Sequence, residues 1–292
     1  VANHRASFTA LFLGIFAFML AACSESEPPS TTHVFEGIPK RAVVIGPATA
    51  ANLFALGAGD HVVAVSDYNT LKAAKSLPRV GGLFDPNIER ITALNPDLVL
   101  IQGQAKSLEE YCAASGIEFR SFSTDTLADW RNEMEWLAHR FGAGKRLPAQ
   151  LERMTQGLAA LTARSDGTAT PPRVLLVVSR RTDEASNLVV AGPASFLDEL
   201  LVAAGGQNVF TDNDRDYFDL NEESLIRAAP EVILEFDANS SGREAVDIWR
   251  AAFPEMPAVR DGRVRTITEK DALMPGPSML GTAQAIAAAL RQ

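Results

Sequence analysis

Cysteine and histidine are nearly missing from this chain: two and four, respectively, among 292 residues. Cys23 closes an apolar N-terminal run and Cys112 follows Tyr111 in a helical stretch, so once Cys23 is otherwise engaged no disulfide can form. Cys112 then reads as a small buried hydrophobe. His4, His33, His61 and His139 are too scattered for a histidine-rich metal site. Positive charge is also short. The balance of 27 Lys and Arg against 36 Asp and Glu leaves −9, which disfavours nucleic acid and anionic lipid as partners of the protein's own surface.

Enzyme signatures are equally thin. A nucleophile elbow needs Gly-x-Ser-x-Gly, but Gly192-Pro193-Ala194-Ser195-Phe196 continues with Leu197, so Ser195 or Pro193 reads as a helix opener. Gly142-Ala143-Gly144-Lys145 lacks the other parts of a phosphate loop, having His139 at the first glycine and Arg146 at the magnesium-binding hydroxyl. Gly57-Ala58-Gly59-Asp60 follows a helix instead of opening one, which suits the left-handed residue of a helix C-terminus. The acidic pairs Asp198-Glu199 and Glu222-Glu223 read as solvated helix faces.

Only one hydrophobic run is long. It extends from Phe8 to Ala22, broken by Thr9, with His4 and Arg5 as a positive head and Leu20-Ala21-Ala22-Cys23 at its end. About 15 residues fall short of the roughly 20 that span a ~30 Å hydrocarbon core. The pattern is that of an export signal over residues 1–22 and resembles the lipobox of bacterial lipoproteins, in which the cysteine is acylated. An uncleaved anchor and a plain signal peptide are the alternatives. Losing residues 1–22 removes Arg5 and takes −9 to −10. Several acyl chains, at about 0.8 kcal/mol per buried methylene, would hold the protein to a membrane without crossing it.

Residues 23–38, rich in Ser, Thr, Glu and Pro, read as a flexible tether. Beyond them, apolar runs alternate with helical segments. Ala42 to Ile45, Val62 to Val65 and Leu98 to Ile101 are strands covered on both faces, separated by helices at Ala50 to Leu56 and Ile88 to Leu94. After a helix from Leu127 to Phe141, Leu147, Leu151, Met154, Leu158 and Leu161 recur at helical steps, predicting one longer helix from Pro148 to Ala163. A second series follows: strands at Val174 to Val178, Leu188 to Val190, Val232 to Leu234 and Val264 to Ile267, with helices at Phe196 to Ala204, Glu223 to Ala229, Val246 to Ala252 and Met279 to Leu290. The expected fold is α/β, with two Rossmann-like lobes of mainly parallel sheet joined by one long rigid helix. The boundaries are 39–144, 145–165 and 166–292, and a ligand would sit between the lobes.

Arg41 to Tyr68, Leu77 to Gly82, Pro86 to Ile91 and Leu94 to Leu100 are similar to the opening half of periplasmic binding proteins for cobalamin, ferric siderophores and haem, the receptors of ABC importers. The similarity resumes, in order, at Ala191 to Leu200, Ala204 to Val209 and Leu225 to Leu234. Membership would imply two lobes, a stiff connecting helix and a groove that holds the ligand. It would also imply one exposed carboxylate per lobe to engage arginines of the permease: Glu89 matches the first, and Glu223 the second, with Glu222 a close competitor. Helix capping is the local alternative for both acids, and the two roles can coexist.

Loops at the carboxyl ends of parallel strands would face the groove. They nominate Pro47, Ala48, Thr49, Tyr68, Phe84 and Gln102 in the first lobe, and Arg180, Arg181, Tyr217, Met274 and Pro275 in the second. Aromatic faces suit a macrocycle or catecholate and arginines suit anionic groups, although each aromatic could be ordinary packing. Ala48 and Ala51 depart from the Ser and Glu that many relatives carry. The expected protein is a monomeric, non-enzymatic, lipid-anchored receptor outside the cytoplasm, with no resident cofactor, passing a metal-chelate to an ABC permease and its ATPase. A receptor for free metal ions, or a hydrolytic or redox lipoprotein on a similar fold, are the rivals.

Overall fold

A computed structural model describes residues 37–164, 170–237 and 243–292. Cys23, with the expected signal and most of the tether, lies outside them. In the first half the elements are β1 (Ala42–Ile45), α1 (Pro47–Ala55), β2 (Val62–Val65), α2 (Ile88–Ala93), β3 (Leu98–Gln102), α3 (Lys106–Ser115), β4 (Glu118–Phe122) and α4 (Leu127–Arg140). The strands form a parallel sheet in the order β2-β1-β3-β4.

The unbroken apolar runs have the meaning expected of them. Alternate residues of β1 and β3 enter different cores: Ala42, Val44, Leu98 and Leu100 pack on one face, and Val43, Ile45, Val99 and Ile101 on the other. Cys112 is buried within the second of these clusters. Gly57 takes the left-handed conformation after α1, with φ 78°. At the start of α4, Thr126 and Asp129 form a reciprocal capping box.

Helix α5 (Leu147–Thr162) has 16 residues and is about 24 Å long at 1.5 Å per residue, with Pro148 in its first turn. The second half then runs β5 (Arg173–Ser179), β6 (Leu188–Ala191), α6 (Phe196–Ala203), β7 (Gln207–Asn208), β8 (Tyr217–Leu220), α7 (Glu222–Ala228), β9 (Val232–Phe236), α8 (Arg243–Ala252), α9 (Pro257–Arg260), β10 (Val264–Ile267) and α10 (Met279–Leu290). Ser195 caps α6, its Oγ accepting from Asp198 N. The sheet order is β10-β9-β5-β6-β8, with β7 also on β5. Strands β10, β9, β5 and β7 are mutually parallel, whereas β6 runs antiparallel to both β5 and β8, so this sheet is mixed.

The fold is therefore α/β with two sheets joined through α5, but the two halves share a core. One apolar cluster runs from β1 and β3 through Trp130, Met134 and Leu137 of α4 and Met154 and Leu161 of α5 to α6, α10 and one face of β5 and β9. The approach of α10 is close enough that a Cβ on Gly157 of α5 would run into Leu280. The connecting helix is thus packed into the body, not suspended between bodies.

Candidate functional site

In the first sheet, the chain leaves β1 toward β2 on one side and leaves the neighbouring β3 toward β4 on the other. Such a switch point opens a crevice at the carboxyl ends of the two central strands. Gly46 and Gln102 meet there. Gly46 has φ 142°, and a Cβ on it would stand 2.6 Å from Gln102 Cβ, so glycine is required both for conformation and for space. Gln102 Nε2 donates to Thr124 Oγ1 at 3.1 Å, while its Oε1 is buried without a partner. Gly46 N donates to Ser66 Oγ at 3.3 Å, tying this turn to the loop after β2.

That loop is held in turn by the next. Asp67 N donates to Gly81 O at 2.9 Å, and Gly81 N donates to Asp67 Oδ1 at 3.1 Å. Gly81, at φ 94°, begins a tight turn whose other side is Pro86. Gly82 lies under the Tyr68 ring: a Cβ there would be 3.4 Å from Tyr68 Cε2. The result is a pair of braced loops that leave Tyr68 78% and Phe84 96% exposed. Large apolar surfaces so free of packing mark contact sites more often than core.

Pro47 is half-buried at the first position of α1, but Ala48 and Thr49 have no exposed surface. Their side chains are packed within the protein. Beneath them sits a polar cluster. Asn52 Nδ2 donates to Glu133 Oε2 at 3.1 Å, and Trp130 Nε1 donates to Asn52 Oδ1 at 3.0 Å. Burial pushes the Glu133 carboxyl up to about 7, although the nearby Thr49 hydroxyl and Asn52 amide pull it back down.

Of the second-half candidates, Arg180 is committed elsewhere. Its Nε donates to Glu235 Oε1 at 2.9 Å with both side chains under a tenth exposed, and Trp249 Nε1 donates to Glu235 Oε2 at 2.9 Å. Arg181 is largely exposed, with only a long contact to Glu184 at 3.9 Å. Ser179 pairs with Val189 while Tyr217 pairs with Ala191, the last residue of β6, so Arg180 and Tyr217 lie toward opposite ends of the strands. Tyr217 is half-buried, and burial with Asp125 and Asp216 nearby drives its hydroxyl well above the ordinary phenol range. Met274 is half-buried and Pro275 buried, while their neighbour Leu273 is exposed. The same loop reaches the first half: a Cβ on Gly276 would be 3.4 Å from Asn52 Oδ1.

A second junction was not anticipated from sequence. Phe196 N donates to Asp125 O, and Leu127 N donates to Glu199 Oε2 at 2.6 Å, so the starts of α4 and α6 satisfy each other's free amides. Burial raises the Glu199 carboxyl above its ordinary range. A groove of about 300 Å³ runs beside this junction, lined by Leu127, Trp130, Met154 and Leu158 among others. It borders α4 and α5, away from the loops of Tyr68 and Phe84.

Glu89 and Glu223 occupy matching helix positions. Each is the second residue of a short helix capped by an asparagine: Asn87 Oδ1 accepts from Arg90 N at 2.9 Å, and Asn221 Oδ1 from Ser224 N at 2.8 Å. Glu222 stands one position earlier, where the other helix has Ile88. Glu223 also pairs with Arg227, an exposed contact of little energetic weight. The two histidines among the described residues are engaged elsewhere. His61 Nδ1 is 2.7 Å from Pro39 O and its ring packs edge-on to Phe141, and His139 is on the exposed side of α4. Among the described residues no group of three or more His, Cys, Asp and Glu is placed to hold a metal ion.

Residues 43–270 match the family of periplasmic binding proteins. The vitamin B12-binding protein of Vibrio parahaemolyticus is 27% identical over 248 residues, which make up 82% of this chain and 86% of that one. The periplasmic haem-binding protein of Roseiflexus sp. RS-1 superposes with a TM-score of 0.72 at 25% identity, covering 87% of this chain and 98% of the other. The periplasmic haem-binding protein of Vibrio cholerae, at 23% identity, shares the fold with a TM-score of 0.75, over 86% of this chain and 99% of that one.

Proposed function

Since the chain belongs to the periplasmic binding protein family, we propose that it is the receptor of an ABC importer for a metal-chelate of the cobalamin, ferric siderophore or haem class. The metal arrives as cargo within the chelate, and the protein needs no cofactor of its own. One observation supports this above the others: Tyr68 and Phe84 stand exposed on loops that are pinned to the carboxyl edge of the first sheet. Two unpacked aromatic faces are costly in water and suited to a large flat or aromatic ligand. Arg181 and the loop around Met274 would contribute from the second half.

Delivery would use Glu89 and Glu223 as matched contacts for the permease, and their equivalent helix positions favour Glu223 over Glu222. The monomer would be tethered by an acylated Cys23, as its place after Leu20-Ala21-Ala22 supports. Equilibrium titration with cyanocobalamin, haemin and ferric catecholate and hydroxamate siderophores tests the reading. One class should bind with Kd below about 1 μM, near −8 kcal/mol, and Phe84→Ala or Tyr68→Ala should weaken it about tenfold or more. If none binds in that range, the transport reading fails.

A further inference from the structure

Glu133 has no part in the surfaces above, yet it is the carboxyl with the worst surroundings. It is 1% exposed, and although Oε2 accepts from Asn52, Oε1 is buried with no partner. Thr49 Oγ1, also fully buried, lies close enough to the carboxyl to favour its ionised form but makes no well-formed hydrogen bond. The elements packed around it bring Thr49 and Asn52 from α1, Trp130 from α4 itself and, through Asn52, Gly276 from the loop before α10, none of them charged. Arg153 of α5 lines a small groove together with Trp130 and Pro277, but is not among the groups that shift Glu133. An ionised carboxylate here would be held by the Asn52 amide and the nearby Thr49 hydroxyl with no counter-cation among these groups, too little to offset its desolvation in a low-dielectric site, whereas the neutral acid costs far less.

The position gives this chemistry a consequence. Thr49 belongs to the first turn of α1, directly after the Gly46 switch point, and Asn52 abuts the loop that carries Met274 and Pro275. The cluster therefore lies beneath candidate ligand loops of both halves. We propose that protonated Glu133 is a positioning residue that keeps the α1 turn and the Met274–Gly276 loop in register, and that its ionisation loosens them and weakens ligand capture. The second part rests on the receptor reading; the first does not. With burial holding the proton on until about pH 7, the loops are fully positioned in mildly acidic medium and loosen as pH rises through neutrality.

Amide hydrogen exchange of residues 273–279, compared between wild type and Glu133→Gln at equal pH, tests the positioning without any ligand. Protection should match at pH 6 and be about tenfold lower in wild type at pH 8, because the neutral amide cannot ionise. Titrations with cyanocobalamin and haemin at both pH values should show wild type losing affinity about fivefold or more while Glu133→Gln stays flat. Equal exchange at pH 8 overturns the proposal, and so does a chelate affinity with the same pH slope in both proteins. If exchange differs as expected but no chelate binds, the positioning stands and the receptor reading falls. Should Glu133→Gln not fold, Thr49→Val serves instead. Loss of the hydroxyl that favours the ionised form should move the midpoint of the exchange transition upward, and an unmoved midpoint overturns the proposal.

Discussion

At the scale of single residues, polar groups buried far from their sequence neighbours were the least legible feature. Asn52, Trp130 and Glu133 are joined by hydrogen bonds spanning 81 and 78 positions, and each alone reads as an ordinary helix residue. Arg180 shows the same limit: an arginine after a strand suits an anionic ligand, but only the fold brings Glu235 and Trp249 to it. Exposed aromatics were easier, since Tyr68 and Phe84 lie in loops between strong apolar runs. Glu133 also makes stability depend on pH. Its folded value of about 7 lies above the ordinary 4.5, so the folded state binds more protons in that window. Stability is fully present below about pH 4.5 and is lost as pH rises through about 7. Raising the carboxyl from 4.5 to about 7, at about 1.36 kcal/mol per pH unit, makes the loss roughly 3 kcal/mol. Urea unfolding at pH 5 and pH 8 should show wild type losing an amount of this order relative to Glu133→Gln.

At the scale of elements, sequence succeeded where a run was long or periodic and failed where one face was wet. The leucine stripe identified α5 to within a residue at each end, and Met279–Leu290 was found whole. Strands β4 and β8 escaped because Glu-Phe-Arg-Ser-Phe and Tyr-Phe-Asp-Leu carry polar residues toward solvent. The reversal of β6 escaped for another reason: four apolar residues specify burial but not direction. Helix α7 ends with a local defect. Ala229 follows it in the left-handed conformation, at φ 42°, where a Cβ is strained and glycine is not. Ala229→Gly should therefore raise stability by about 0.5–1 kcal/mol, measured by thermal or chemical unfolding, with ligand affinity unchanged. A loss of stability would mean that the strain is relieved by something other than the backbone.

At the scale of the whole molecule, the two-sheet plan was legible because the same alternation of apolar run and helix appears twice. The shared core was not, since nothing local says that α4, α5, α6 and α10 pack as one layer. The proposed docking belongs to this scale, because Glu89 and Glu223 would act only as a pair on one body. Glu89→Arg or Glu223→Arg should leave chelate binding intact, yet abolish most of the stimulation of the importer's ATP hydrolysis in reconstituted vesicles. Full stimulation by the double variant would remove these acids from the interface.

The continuous apolar layer also restricts how such a protein can change its cargo. A half taken from a relative would arrive with its own shapes opposite Met154, Leu161 and Leu280, and Gly157 leaves no slack for a mismatch. Exchanging one half alone as a cassette would therefore disturb that layer. New specificity is more readily written one rim loop at a time, on a scaffold that stays whole.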